Sequence, residues 1–341
     1  MKSLVCDAFG PQGGLVMREV LTPDVGPGEV RIRVMAAGVS ANDQLLVQGV
    51  TIPKPSLPFT PGSEVAGVVD AVGHGVQDIA VGDHVIALTN SGGFAEFAVV
   101  PHDAVVQIPD GMAYATAAGF ILTYAPAHHA LKQRAVLKAG ETVLVLGAAG
   151  AGGLAAIEVA KMLGARVIAA ASTDEKLQLA KRFGADHRIN YTDIDMREAL
   201  KVLTDGEGVD IVYDPVGGEE AESALRSLAF GGRHLIMGFA AGPAAPVSPN
   251  ALHARGAALI GVQWSAYARR HPDVQADNLE ELVAWYHAGK LKPAVGQVFA
   301  FEHGAEAIRA AADRGTMGRV VLDVGGREPT LSDIIGPGEP C

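Results

Sequence analysis

The chain has 341 residues, enough for two domains with separate cores. Its net charge is −11, which argues against nucleic acid and anionic membrane surfaces as partners. Only two cysteines are present, Cys6 and Cys341, so a disulfide framework and a four-cysteine zinc site are both excluded.

No apolar run approaches the length of a membrane span. The N-terminal MKSLVCDAFG lacks the apolar core of a signal peptide. A cytoplasmic enzyme is the expectation.

Residues 1–120 carry short β signals punctuated by Gly and Pro. Val30–Val34 alternates Val, Arg, Ile, Arg, Val, as a half-buried strand does. Val65–Val72 and Asp83–Leu88 read as strands, with Gly82-Asp83 as a turn, and Phe94–Val100 reads as another. No helical period lasts before about Ala113. The expectation is a mostly antiparallel, barrel-like β domain.

The pattern changes at Thr142. Val143–Leu146 is wholly apolar, as suits a strand buried on both faces. Glycines follow at once, at 147, 150, 152 and 153. Leu154–Leu163 has apolar residues at helical spacing, with Glu158 and Lys161 pointing elsewhere. Gly164 closes the helix and Arg166–Ala171 is a second apolar strand, which completes a βαβ unit. Further helices are expected over 174–183, 195–203 and 219–229. Strands are expected near 187–189, 209–213, 233–238 and 257–262. The alternation predicts a doubly wound parallel sheet. Beyond Trp264, Leu279–His287 and Gly304–Ala312 read as amphipathic helices and Arg319–Val324 as a strand. This tail is expected to rejoin the first domain, giving a catalytic domain of 1–122 and 265–341 and a nucleotide domain of 123–264. Gly325–Cys341 reads as a loosely attached extension.

The glycines have a physical task. Ala148, Gly150 and Gly153 fit the spacing of the dinucleotide fingerprint, with Ala in its first place. Gly150 lets the backbone approach a pyrophosphate, and Gly153 lets the helix pack on the strand. Ala151 and Gly152 open the helix, whose free N–H groups and dipole favour phosphate. Such a run can also be a mere tight turn, but here strand and helix stand on the correct sides of it. NAD binders place a carboxylate at the end of the second strand, for the ribose 2′-OH. This chain has Ala170, Ala171, Ser172 and Thr173 there, then Lys176. Hydroxyls and an ammonium suit a 2′-phosphate, which a carboxylate repels, so NADPH is expected over NADH. The alternative is that Lys176 is a solvated residue of the next helix.

Several segments resemble one family in order and spacing: GVSANDQLLVQG (38–49), KPSLPFTPGSEVAGVV (54–69), VGDHVIAL (81–88), GGFAEFAVVP (92–101), GETVLVLGAAGAGGLAAIEVAK (140–161), GAD (184–186), NY (190–191), VYDPVGG (212–218) and GRVVL (318–322). They resemble the quinone oxidoreductase branch of the medium-chain dehydrogenase/reductase superfamily, over roughly 1–324. The resemblance implies a GroES-like β-barrel catalytic domain plus a Rossmann domain, and a homodimer. It implies Asn42 and Thr123 beside the nicotinamide and its ribose. It places Tyr191 near the adenine-side phosphate with Ser172 and Lys176, and Gly238-Phe239 at the nicotinamide-side loop. Arg319 is a further candidate for the 2′-phosphate.

Zinc-dependent relatives carry Cys where this chain has Ser40, and His where it has Ser63. Glu64 remains. Zinc needs converging thiolate, imidazole or carboxylate ligands, and no histidine spacing here supplies them, so no metal is expected. Without a Lewis acid, alcohol oxidation loses its main electrostatic help, whereas quinones and enones accept hydride readily. The expected activity is hydride transfer from NADPH, without a metal, to a quinone or similar electron-poor acceptor, a small, flat, apolar substrate. An enoyl or alkenal reductase and a non-catalytic NADPH-binding accessory protein are the alternatives. Many relatives carry a Tyr after the glycine matching Gly49. This chain has Val50-Thr51, so no catalytic acid is assigned.

The edge strand Ala257–Val262 is apolar, without Lys or Pro to blunt it. Pairing with the same strand of a second copy about a two-fold axis would cover it. Cover by Trp264–Arg270 of the same chain is the alternative.

Overall fold

A computed structural model describes residues 1–10, 14–51, 53–242 and 247–325. The chain divides into two compact units. The described residues of 1–122 and 293–325 form the first, and those of 123–292 the second.

The first unit opens with strands β1 (Lys2–Cys6), β2 (Leu15–Glu19) and β3 (Glu29–Val39), then helix α1 (Ala41–Gln48). Strands β4 (Glu64–Val72), β5 (His84–Leu88), β6 (Phe97–Pro101) and β7 (Val105–Gln107) follow, with the short helix α2 (Tyr114–Ala117). The 11-residue β3 is the spine of this unit. It pairs antiparallel with β4 along its length and with β6 over Glu29–Arg33. Two register shifts in the β3–β4 pairing, at Arg31/Ile32 and Val34/Ala36, bend the strand. Alternate residues Val30, Ile32 and Val34 face a core shared with Val65, Val69, Val85 and Phe94.

The chain enters the second unit through α3 (Ile121–His128) and a π-helical turn, His129–Arg134. The alternating part comprises β8 (Thr142–Val145), α4 (Ala151–Met162), β9 (Arg166–Ala171), α5 (Asp174–Arg182), β10 (His187–Asn190) and α6 (Met196–Leu203). It continues with β11 (Val209–Asp214), α7 (Gly218–Leu225), β12 (Leu228–Ile236), α8 (Pro249–Arg255) and β13 (Ala258–Gly261). The sheet order is β10-β9-β8-β11-β12-β13, with every pairing parallel. Strand order therefore reverses between β8 and β11, where open α/β sheets bind ligands beyond the carboxyl ends of their strands. All four residues of β8 are buried, as the run of apolar residues at 143–146 anticipates.

Helices α9 (Trp264–Arg270) and α10 (Pro272–His287) close the second unit. Here the structure departs from the expected boundary at 264/265. Glu281 accepts from Lys132 Nζ at 2.5 Å and lies 2.6 Å from His128 Nε2. Gln133 Nε2 donates to Asn278 Oδ1 at 3.1 Å. These pairs, some 145–153 residues apart in sequence, hold α10 to the second unit, and the chain rejoins the first at Pro293. There β14 (Val295–Ala300), α11 (Gly304–Ala312) and β15 (Arg319–Asp323) follow, with β15 antiparallel to β3 at Ala36–Val39. The expected extension lies, beyond Gly325, outside the described residues.

Glu158 does not point away from the core, as its place on α4 suggests. It is 6% exposed. Tyr124 donates its hydroxyl to Oε2 at 2.5 Å, and Lys292 N donates to Oε1 at 2.9 Å. Burial pushes its carboxyl up to about 7, against the downward pull of these hydrogen bonds. The acid therefore keeps its proton in the fold at a pH where the unfolded chain has lost it. The sign follows from linkage: stability falls as pH rises from 4.5, the ordinary value, to about 7. Glu158→Gln cannot ionise. Urea unfolding between pH 5 and 7.5 should show a pH slope shallower by up to about 1.4 kcal/mol per pH unit. An unchanged slope would contradict a buried, proton-holding Glu158.

Candidate functional site

The glycine turn begins where β8 ends. Leu146 N donates to Tyr213 O at 3.0 Å, so the turn starts against β11. Gly147 has φ +57°, and a side chain there would meet Val216 Cγ2 at 2.9 Å. Gly153 sits directly over this turn. A Cβ on it would lie 2.3 Å from Gly147 O and 2.9 Å from Ala148 C, an overlap with backbone that cannot swing aside. Glycine at 153 is thus required by the fold. Gly150 differs: its φ is −70°, open to any residue, and a Cβ would meet only Gly147 O at 3.5 Å. Gly152 is similar, with Tyr213 Oη at 3.6 Å. Nothing in the protein itself demands glycine at 150. It caps α4 without a side-chain acceptor, so Ala151, Gly152 and Gly153 open the helix with N–H groups that no side chain of the cap satisfies. Ala148 is fully buried beneath the turn.

The end of β9 gathers the next group. Thr173 caps α5, its Oγ1 accepting from Lys176 N at 3.4 Å. Lys176 Nζ lies 3.2 Å from Ser172 Oγ. Tyr191 N donates to Ala171 O at 3.2 Å, and Thr192 Oγ1 donates to Ser172 O at 3.2 Å. Ser172, Thr173, Lys176 and Tyr191 are thereby assembled at one corner of the second unit. The carboxylate of Asp174 is turned to Asn190 Nδ2, 3.2 Å away.

At the switch point, Gly238 and Phe239 follow β12 in a loop laced to the one after β11. Met237 N donates to Asp214 O, Ala240 N to Pro215 O and Ala241 N to Val216 O, at 2.8, 3.2 and 2.8 Å. Phe239 is 54% exposed. Thr123 is buried, and its Oγ1 has no hydrogen-bond partner. It is not an N-cap, so its hydroxyl is an orphan of the kind a ligand would satisfy.

The remaining candidates belong to the first unit. Asn42 is exposed on the first turn of α1. Beside it, buried Asp43 accepts from Ser40 N at 2.8 Å, Ser40 Oγ at 2.9 Å and Gly62 N at 3.2 Å. Arg319, the further candidate for the 2′-phosphate, has a partner within the first unit. It is 9% exposed, and its Nη2 lies 3.4 Å from Glu64 Oε2. Glu64 Oε1 accepts from Ile121 N at 2.7 Å and Leu122 N at 3.2 Å. Arg319 and the two backbone N–H groups offset part of the cost of burying this carboxyl. Burial still pushes Glu64 up to about 7, with Arg319 and the two backbone N–H groups pulling the other way.

These contacts bear on zinc. Ser40 Oγ is bonded to Asp43, Ser63 Oγ donates to Asn90 O at 3.3 Å, and Glu64 faces a guanidinium. Two hydroxyls and an arginine-paired acid do not make a zinc donor set. Among the described residues no group of three His, Cys, Asp or Glu could hold a metal ion. Tyr124 is buried with its hydroxyl on Glu158, which commits it to the core.

Sequence reasoning missed the polar pairs Glu64–Arg319, Tyr124–Glu158 and Asp214–His234. Their partners lie 255, 34 and 20 residues apart, so no local spacing announces them.

Residues 26–110 match the alcohol dehydrogenase GroES-like domain, and 151–283 match the zinc-binding dehydrogenase domain. The quinone oxidoreductase-like protein 2 of Bos taurus is 39% identical over 311 residues, covering 91% of this chain and 89% of the relative. A crystal structure of Escherichia coli quinone oxidoreductase complexed with NADPH superposes with TM-score 0.88 at 28% identity, covering 95% of this chain and all of that one. A structure of an NAD-dependent alcohol dehydrogenase gives 0.87 at 32% identity, covering 95% and 100%. The fold is thus a GroES-like domain with a Rossmann-type parallel sheet. The chain belongs to the quinone oxidoreductase branch of the medium-chain dehydrogenase/reductase superfamily.

The two glycines separate structure from ligand. Gly153→Ala should lower the unfolding temperature by several degrees or prevent folding, because its Cβ meets backbone. Gly150→Ala should unfold like wild type by calorimetry yet lose about tenfold or more of its affinity for an adenine dinucleotide. Equal stability losses in both variants would remove the distinction.

Proposed function

We propose that this protein is an NADPH-dependent reductase that passes hydride, without a metal, to a quinone or a similarly electron-poor, flat acceptor. The observation that carries this reading is the end of β9. Ser172, Thr173 and Lys176 stand where an NAD-binding protein keeps a carboxylate, and Lys176 Nζ is already held toward Ser172 Oγ. Those groups would hold the 2′-phosphate, with Tyr191 beside them. The opening of α4, from Gly150 to Gly153 over buried Ala148, would hold the pyrophosphate. Relatives named quinone oxidoreductase, one of them solved with NADPH, support the same reading.

Bound dihydronicotinamide supplies the hydride. The chain's part would be to bind and orient it: Thr123 would offer its unpartnered hydroxyl to the ribose side and Gly238 and Phe239 would line the ring, while family resemblance offers Asn42, in the first unit, as a candidate for the acceptor. No side chain is assigned as proton donor. Val50 is exposed, Thr51 Oγ1 donates to Pro53 O at 3.4 Å, and Tyr124 is committed to Glu158. Water protonates the reduced product. We further infer a homodimer in which β13, the end strand of the six-stranded sheet, pairs with its symmetry mate.

Turnover with NADPH against quinones, enones and enoyl thioesters, before and after exhaustive chelation, tests this directly. Quinones should be the best acceptors, with rates unaffected by chelation and no stoichiometric zinc on elemental analysis. Preference for an enone or thioester would move the protein to the alkenal reductases. Activity lost with a bound zinc would overturn the metal-free reading. Sedimentation of the same preparation should give a two-chain mass, and a fully active monomer at micromolar concentration would remove the dimer.

A further inference from the structure

His234 is an unexpected residue for its position. It lies inside β12, the fifth strand of a parallel sheet, and is 3% exposed. Asp214, the last residue of β11, is also 3% exposed. Register places His234 opposite Val212, so it shares a sheet face with Asp214 two residues on. His234 Nε2 lies 2.9 Å from Asp214 Oδ2. A carboxylate oxygen accepts, so Nε2 carries the hydrogen, and Nδ1 is left buried and without a partner. A buried polar atom so placed costs stability, and the cost calls for an explanation.

What it does is visible on the other side of the carboxylate. Asp214 Oδ1 accepts from Val216 N and Gly217 N, both at 2.8 Å. Those bonds hold a turn in which Gly217 and Gly218 have φ +72° and +68°. The turn is in turn laced to 237–241 by three backbone hydrogen bonds, from Met237, Ala240 and Ala241. A Cβ on Gly217 would lie 3.6 Å from Phe239 Cδ1, so the two loops are in van der Waals range. Remove the donor at Nε2 and a buried carboxylate oxygen is left unsatisfied. It then rotates or draws in water, and the turn it holds is released.

We propose that His234 is a positioning residue: by fixing Asp214 it sets the paired loops 214–218 and 237–241, and so places Gly238 and Phe239 against the nicotinamide. The placement against nicotinamide rests on the dinucleotide reading above. The setting of the loops does not.

The test separates the two. Amide hydrogen exchange of the nucleotide-free protein reads loop order by itself. In His234→Leu, protection at Val216, Gly217, Ala240 and Ala241 should fall by about tenfold or more, while Val143–Val145 in β8 stay as in wild type. His234→Gln, whose amide can reach the same oxygen, should restore protection. Where His234→Leu does not fold, His234→Asn, with an amide one carbon shorter, takes its place. NADPH affinity, read by fluorescence titration, should follow the same order: weakened about tenfold in the Leu or Asn variant and near wild type in Gln. Unchanged loop protection in the Leu variant, or loss spread equally into β8, overturns the proposal. So does failure of Gln to rescue. If wild type binds no NADPH while the exchange pattern holds, the dinucleotide reading fails and the loop-setting role stands.

Discussion

The chemistry at the carboxyl edge of the parallel sheet depends on how closely α4 approaches β8. Gly153 permits that approach, since any Cβ there would press into Gly147 O at 2.3 Å. The contact does more than save space. It turns the chain sharply enough that the helix begins directly above the end of the strand, at the point where strand order reverses. The first N–H groups of the helix then face outward beyond the sheet, with no side chain at the cap to occupy them. A residue with a side chain at 153 would lift the helix, and its N–H groups would no longer converge.

A second constraint is the handling of buried charge. Asp43, Glu64, Glu158 and Asp214 are all among the buried residues. Each accepts at least one backbone N–H across a loop: Gly62 for Asp43, Ile121 and Leu122 for Glu64, Lys292 for Glu158, Val216 and Gly217 for Asp214. An isolated buried carboxylate costs several kcal/mol. Backbone donors and one further partner offset that cost, and in exchange a loop loses its freedom. Burial dominates at Glu64 and Glu158, and both hold their protons up to about pH 7.

The local elements of the nucleotide unit were legible in the sequence because each is set by a local pattern. The apolar run at 143–146, the glycine spacing and the second strand at 166–171 all fall where expected. The absence of a carboxylate at the end of β9, over Ala170 to Thr173, could be read directly. What escaped was set by long-range pairing. Helix α1 was missed because its eight residues carry only a weak apolar face. Helices α8 and α9 are seven residues each, too short for a period to show. The boundary at 292/293 depends on His128, Lys132 and Gln133 reaching Glu281 and Asn278, which no composition shift marks. The family resemblance offers Arg319 as a further candidate for the 2′-phosphate, and no local pattern announces the buried acid that it meets. Only the fold shows Glu64 opposite it. Glu158 was assigned to the outer face of α4, since an acid among alanines reads as the solvated side. Tyr124 and Lys292 reverse that.

The central claim is that the corner formed by Ser172, Thr173, Lys176 and Tyr191 selects a 2′-phosphate. Fluorescence titration of wild type and Lys176→Ala with NADPH and NADH tests it most directly. A charge-assisted contact contributes about 1.5–3 kcal/mol, so the variant should lose about tenfold or more in affinity for NADPH and keep its affinity for NADH. Equal losses for both nucleotides, or a wild type that prefers NADH, would contradict the account.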